Sequence, residues 1–385
     1  MHEGRIIFAQ LMDYLPRETF DACVRQYRGN HNSKGFTCRD QFLAMAFAQL
    51  TFRDGLRGIQ GTLEANRHCL FHMGFRCGSI SKSTLAHANK NRPWQIYARF
   101  AMALMERARR LYTNEPLAID LDAKVFALDS TTIDLCLARF SWTPSQQSKA
   151  AVKVHVLLNL RGSIPEVIVI TNGKTHEVKI LDQLRFIAGA YYVMDKAYVD
   201  FKRLYQLHLG KVTRAKRHMR FDAVESRPID KGAGLRCDQT IRLTGVETRK
   251  SYPEYLRRIK FRDPETNKGF VFLTNDFELP ALLICALYKQ RWQVELFFKW
   301  IKQHLRIKAF YGYSENAVRT QLWIAIAVYC LLAIVKKELK ADRELHEIQE
   351  ILSASIFQKM PILQAFSKLS TNLFESPQSN QLSLF

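Results

Sequence analysis

Apolar residues follow two spacings along this 385-residue chain, and the change from one to the other divides it. Up to about residue 115 the pattern reads as helical. Gln41 to Leu50 is an apolar-rich segment that stops at Arg53-Asp54-Gly55. Ser81-Lys82-Ser83-Thr84 offers an N-cap to a short helix that runs to about Asn91 before Pro93 breaks it. From Lys124 the spacing is that of strands. Val125 to Leu128 is an unbroken apolar run that ends on Asp129. Ala151 to Leu160 alternates, and after Arg161-Gly162-Ser163 the segment Ile164 to Ile170 predicts the second arm of a hairpin. A helix near Glu177 to Ile187 leads to the strand Tyr191 to Met194, which ends on Asp195; another helix and a strand near Lys211 to Thr213 follow. Between about 215 and 270 the chain is basic and alternating, at Thr240 to Thr244 and in parts of Leu256 to Phe261. A turn at Asp263-Pro264-Glu265-Thr266-Asn267 then leads into Phe270 to Leu273. Leu279 to Leu305 reads as one helix. Leu322 to Val335 is an apolar run of 14 residues between Arg319 and Lys336, short for a membrane span and typical of a buried helix. The final stretch around Ser376-Pro377-Gln378-Ser379-Asn380 has the composition of a flexible tail. The expected fold class is α/β, with a mixed sheet, a helical N-terminal part (1–115), a core over 116–340 that contains a β-rich insertion at about 215–270, and a helical C-terminal segment with a tail over 341–385.

Charge narrows the partner. The formal net charge is +21, more than solubility needs, and points to a polyanion, nucleic acid first and an anionic membrane second. The cations are spread along the chain (Arg214, Lys216, Arg217 and Arg220, then Arg249, Lys250, Arg257, Arg258 and Lys260), which favours a protein that wraps its partner. Eight cysteines without a C-x-x-C pair read as reduced core thiols of a cytosolic protein. His68, Cys69, His72 and Cys77 have a spacing that fits no common zinc pattern. The start Met1-His2-Glu3-Gly4-Arg5 lacks the basic and apolar regions of a signal peptide, so a soluble cytoplasmic protein with no membrane segment is expected.

Candidate chemistry gathers at three places. Tyr288, Arg291, Glu295 and Lys302 fall within an arc of roughly 60° on a helix of about 100° per residue. Leu287, Val294, Phe298, Ile301 and Leu305 form an apolar stripe beside them. One carboxylate flanked by two cations and a phenol at the edge of a buried face suits a metal ligand whose neighbours grip phosphates; an ordinary solvated stripe fits the same stretch. Asp129 and Asp195 each end an apolar strand, where polar functional groups converge in open α/β sheets, although either alone also reads as a turn or cap residue. Three carboxylates suit Mg²⁺, and two such ions about 3.5–4 Å apart activate an attacking oxygen and stabilise a leaving one in phosphodiester displacement. Asp134 and Asp200 read as surface charges, and His155 and His176 as structural groups, since Mg²⁺ prefers oxygen. The helical N-terminal part, with its basic, hydroxyl-rich helix start at Ser81, is compatible with a helix-turn-helix reader of DNA and equally with any small helical bundle.

Leu128-Asp129-Ser130-Thr131-Thr132, Val193-Met194-Asp195-Lys196-Ala197-Tyr198 and the Tyr288-x2-Arg291-x3-Glu295-x6-Lys302 signature resemble the DDE transposases of bacterial insertion sequences, in particular the insertion-sequence-four branch. The resemblance extends from the N-terminal helices to about residue 340 and implies an RNase-H-like catalytic core. It implies Asp129, Asp195 and Glu295 as catalytic ligands of Mg²⁺, with Mn²⁺ able to substitute, and Arg291, Lys302, Tyr288 and Lys196 on DNA phosphates. It implies an N-terminal domain that recognises the element's terminal inverted repeats, and a homodimer that synapses two ends. The implied reaction is nicking at the element end, then attack of the freed 3′-OH on the other strand and later on target DNA. Two departures stand out. Lys196 occupies a place where arginine is common, keeping charge and losing the bidentate grip. No Trp lies between residues 211 and 275, so Tyr252, Tyr255, Phe261 or Trp292 would have to stack a flipped base. The last residues, Gln381-Leu382-Ser383-Leu384-Phe385, resemble the short peptide by which bacterial proteins bind the replicative sliding clamp. Two other readings stay open: an RNase-H-like nuclease that cleaves without joining, and a catalytically silent DNA-binding regulator. The presence of all three carboxylates argues against the second.

Overall fold

The computed structural model describes residues 4–31, 33, 35–135, 150–206, 210–215, 219–304 and 310–367. The Gln381, Leu382, Leu384 and Phe385 peptide, the tail ahead of it, and Cys136, Lys216, Arg217 and Leu305 lie outside these residues.

Six helices open the chain: α1 (Ile7–Asp13), α2 (Arg17–Gln26), α3 (Cys38–Leu50), α4 (Leu56–Ala65), α5 (Lys82–Asn91) and α6 (Gln95–Leu111). Local chemistry sets their starts. Thr37 and Asp40 form a reciprocal capping box for α3, and the Ser81 hydroxyl accepts the Thr84 N–H at the head of α5 (3.1 Å). Strands β1 (Val125–Leu135), β2 (Ala150–Asn159), β3 (Ile164–Asn172) and β4 (Tyr191–Met194) follow, then α7 (Phe201–Gln206), β5 (Gly210–Arg214), β6 (Phe221–Ser226), β7 (Leu235–Leu243), α8 (Val246–Ser251), β8 (Leu256–Arg262) and β9 (Gly269–Thr274). The chain continues through α9 (Ala281–Gln290), α10 (Trp292–His304), α11 (Glu315–Glu338), α12 (Leu345–Ser355) and α13 (Ile362–Phe366).

All nine described strands join one mixed sheet in the order β3-β2-β1-β4-β5-β9-β8-β7-β6. β1, β4 and β5 are parallel neighbours, and the remaining pairings are antiparallel. Unbroken apolar runs such as Val125–Leu128 are what a strand buried on both faces requires. Val125 and Ala127 pack on one side with the helices, Phe126 and Leu128 on the other with Tyr192 and Met194. The hairpin of β2 and β3 turns through Gly162 (φ 72°) and Ser163 (φ 55°). The basic segment between β5 and β9 does not stand apart as a sheet of its own: β9 bonds to β5, so β6 to β8 extend the central sheet.

Three segments differ from the expected pattern. The chain from Glu177 is a 3-10 helix that ends at Gln183. The apolar run at 322–335 is the middle of a 24-residue helix, α11, capped by Ser314 (hydroxyl to Ala317 N–H, 3.1 Å). By length and composition α11 is apolar enough to cross a membrane, but 94% of its most apolar window is buried inside the protein against the N-terminal helices and α12. A helix apolar on every side belongs in a core of this kind. Leu279 to Leu305 is two helices rather than one. Arg291 N–H bonds the Tyr288 carbonyl and Val294 N–H bonds the Arg291 carbonyl (both 3.1 Å), so i→i+3 bonds tighten the chain at the junction of α9 and α10.

Candidate active site

The site begins with strand register. Leu128 of β1 pairs with Met194 of β4, and Met194 pairs with Thr213 of β5. The next residues are Asp129, Asp195 and Arg214, three equivalent positions across three adjacent parallel strands; Asp195 follows β4 and Arg214 closes β5, but Asp129 does not end its strand as expected, because β1 runs on to Leu135 in pairing with β2. Neighbouring strands lie about 4.8 Å apart and register-matched side chains share a face. Asp129 lies on the side of Val125 and Ala127, the side against which α10 packs.

The junction of α9 and α10 meets this edge. Arg291 donates Nη1–H to Asp129 Oδ2 (2.5 Å) and Nη2–H to a Glu295 carboxylate oxygen one turn along α10. Tyr288, the last but two of α9, turns its hydroxyl to Asp195 Oδ1 at 3.4 Å. Asp129 also accepts the Ser130 N–H (2.8 Å). Lys302 Nζ donates to the Thr132 carbonyl (3.1 Å), on β1 just beyond Asp129. Leu287, Val294, Phe298 and Ile301 are buried and seat both helices on the sheet. Asp129, Asp195 and Glu295 are thus brought to one rim together with Tyr288, Arg291 and Lys302, and exposed Lys196 stands next to Asp195. Among the described residues no three His, Cys, Asp or Glu side chains are already gathered as a metal cage; a guanidinium spans two of the three carboxylates instead.

Electrostatics agree with a crowded anionic rim. Burial raises the Asp129 pKa, and Asp195 and Glu295 push it the same way while Arg291 and the Ser130 N–H oppose. Burial pushes the Tyr288 phenol up to about 12. An oxygen-only donor set with mutual repulsion fits a hard divalent cation, and Asp129, Asp195 and Glu295 would hold it. Arg291 Nε is buried without a partner among the described residues, so the guanidinium is not committed to a closed structural network.

Arg214 was not singled out as a site residue by sequence. It extends the row of register-matched positions by one, lies over the Phe270 ring (5.5 Å), and its charge acts on Tyr288. The strand-end rule that marks Asp195 applies to it. His155 faces Thr171 Oγ1 (3.1 Å) and not the carboxylates, and Asp200 is tied to Arg203 (3.0 Å). Of the four aromatics named for base stacking, Tyr252 is excluded as it stands, because it is buried among Phe201 and Tyr205. Tyr255 (48% exposed) and Trp292 (57%) are open to solvent, and Trp292 adjoins Arg291.

Residues 120–331 match the family described as a transposase DDE domain, more than half of the chain, and residues 3–76 match one described as a domain of unknown function. A Sinorhizobium fredii protein named as a transposase is 32% identical over 296 residues, covering 74% of this chain and 80% of the relative. A Geobacillus stearothermophilus protein named as the transposase of an insertion-sequence element is 31% identical over 255 residues, 65% of this chain and 66% of the relative. A piggyBac transposase synaptic complex with hairpin DNA shares 10% identity over 92% of this chain and 78% of that one at a TM-score of 0.42, below the level of a shared fold. The chain therefore belongs to the DDE transposases, enzymes that cleave DNA and transfer its strands with a divalent metal ion.

Proposed function

We propose that this transposase binds the terminal inverted repeats of an insertion sequence and moves it by Mg²⁺-dependent cut-and-paste chemistry. The reading takes residues 116–340 as an RNase-H-like catalytic domain of the insertion-sequence-four branch, 1–115 as the end-binding domain, and 215–270 as its insertion. The observation that carries it is the bridge from Asp129 through Arg291 to Glu295, with Tyr288 on Asp195. It draws three carboxylates from three separate elements to one rim that cations surround.

Asp129, Asp195 and Glu295 would hold the ion, with Mn²⁺ able to replace Mg²⁺. When bound, it supplies charge that activates the attacking oxygen and stabilises the departing one. In the first step water adds to the scissile phosphorus and the P–O3′ bond breaks, freeing a 3′-OH on the element. That hydroxyl then attacks a second phosphodiester, so one P–O bond forms as another breaks. Arg291 would exchange Asp129 for a phosphate oxygen of the DNA, and Lys302, Lys196 and Arg214 would grip neighbouring phosphates. Trp292 and Tyr255 are the exposed aromatics suited to stacking a displaced base. A homodimer holds the two ends, and Gln381, Leu382, Leu384 and Phe385 recruit the replicative sliding clamp in the cytoplasm, at the nucleoid.

Incubation with a labelled terminal-repeat duplex and Mg²⁺ or Mn²⁺ tests this, with Glu295→Ala as control. Cleaved and joined products from the wild type alone are expected. Cleavage without joining would assign a nuclease, and binding without cleavage a regulator. For the tail, removing Leu384 and Phe385 should abolish clamp pull-down; unchanged pull-down refutes the clamp proposal.

A further inference from the structure

The N-terminal helices carry a surface that the catalytic rim does not use. Helix α5 is anchored on one side by Leu85, Ala88 and Asn89, all buried. Gln41 Nε2 donates to Asn89 Oδ1 (2.8 Å), Asn316 of α11 donates to the Asn89 carbonyl (2.9 Å), and the Lys82 N–H bonds Gln60 of α4 (2.7 Å). Such ties fix the axis and rotation of the helix on the protein body. The opposite side holds Ser83, Ala86, His87 and Lys90, spaced i, i+3, i+4 and i+7, with Lys82 and Asn91 at its ends. Ser83, His87 and Lys90 are exposed and Ala86 is half-buried.

Among the described residues the one side-chain hydrogen bond made by Ser83, His87 or Lys90 joins Ser83 to the Ser81 hydroxyl (2.9 Å), and the stripe's composition is specific. Three side chains can exchange hydrogen bonds with base edges, and the small Ala86 between them allows close approach. Seven Lys and Arg against two Asp and Glu lie between residues 53 and 92, and Arg57, Arg67, Arg76, Lys82 and Lys90 are exposed. The connection from α4 to α5 adds Phe71, 83% exposed beside His72. A helix with side chains is about 10–12 Å across and the major groove of B-DNA about 12 Å wide.

We propose that α5 enters the major groove of duplex DNA, with Ser83, His87 and Lys90 reading base edges, Lys82 on a flanking phosphate, and α4 as its brace. The proposal rests on the reading that the N-terminal part binds the element's ends, and it names the element that recognises their sequence. Full-length protein should be used to select from a duplex library with a randomised centre, and the enriched sequence measured against a scrambled duplex. The wild type is expected to enrich one motif. Ser83→Ala/His87→Ala lowers preference for that motif about tenfold or more while leaving scrambled binding nearly unchanged. Lys82→Ala weakens all duplexes alike and reduces the salt slope by about one. A motif enriched by the wild type and retained by the double variant with undiminished preference overturns the role of α5 but leaves end recognition standing. A wild type that enriches no motif overturns end recognition itself.

Discussion

Arg257 and Arg291 each clasp an aspartate, in settings that differ in every other respect. Arg257, on β8, makes two parallel bonds to Asp238 of β7 (2.8 and 2.7 Å) and sends Nη1 to the Leu279 carbonyl (2.6 Å), at the entry to α9. Both side chains are nearly sealed, 4% and 5% exposed. Arg227 adds a longer ion pair to the same aspartate (3.6 Å), so its charge is fully matched, and the pair fastens the extended sheet to the helix that leads into the site. Arg291 is shared between Asp129 and Glu295 on different elements, leaves Nε buried and unpartnered among the described residues, and sits among carboxylates that repel one another. The closed pair is a structural clasp. The open cluster carries more negative charge than its arginine cancels, which is what binding a further cation requires.

Removing a carboxylate from the open cluster separates activity from stability most widely. Asp129→Asn or Glu295→Gln should cut DNA cleavage about 10³-fold or more, over 4 kcal/mol of transition-state stabilisation. The metal-free melting temperature should hold or rise, because a repulsion is relieved. Mg²⁺ should raise melting of the wild type and not of these variants. A variant that keeps cleavage removes that residue from the metal site.

Breaking the closed clasp should do the reverse. Arg257→Ala strands a buried carboxylate and should cost about 3–5 kcal/mol in urea unfolding. Arg257→Met/Asp238→Leu should recover most of that loss, since a buried pair exchanged for packed apolar groups is nearly neutral. A small cost for the single variant would mean that another partner, such as Arg227 (3.6 Å), takes over Asp238.

The two clusters also differ in how far sequence alone discloses them. Asp129 and Asp195 are legible because each closes an unbroken apolar run, and an apolar run marks a strand buried on both faces. The buried stripe of Leu287, Val294, Phe298 and Ile301 is legible by helical spacing. The break at Arg291 is not, because no Gly or Pro stands there and the i→i+3 bonds leave no residue signature. Arg214 needed the register of β4 against β5 before it joined the row. Arg257 and Asp238 are 19 residues apart and meet only because β7 pairs with β8. Tyr252 looked available by composition, and tertiary packing buries it.

His155, opposite Ser130 in the register of β1 and β2, offers a titratable contrast to both arginines. Burial, then the positive charge of Lys153, lowers its pKa to about 4, against a smaller opposing pull from Glu177. Its Nδ1 is buried without a partner among the described residues. The depressed value makes its stabilising contribution fully present above the ordinary pH of about 6.5 and lost as pH falls toward 4, up to about 3 kcal/mol. His155→Gln should therefore unfold with a shallower acid limb than the wild type between pH 6.5 and 4. Parallel limbs would show that the imidazole is already solvated.

The smallest effect expected belongs to Tyr288, which touches the open cluster without carrying charge. Its hydroxyl lies 3.4 Å from Asp195, at the long end for an O–H···O bond, so the contact is worth less than about 1 kcal/mol. With its pKa pushed up to about 12, the phenol stays protonated through neutral pH and donates to the carboxylate. Its ring packs on Phe272 at 4.8 Å, and that packing survives in Tyr288→Phe. The substitution should leave stability unchanged and slow cleavage no more than about fivefold. A loss approaching that of Asp129→Asn would mean that the hydroxyl moves onto the DNA or an attacking oxygen during reaction, and would transfer Tyr288 from the scaffold of the rim to its chemistry.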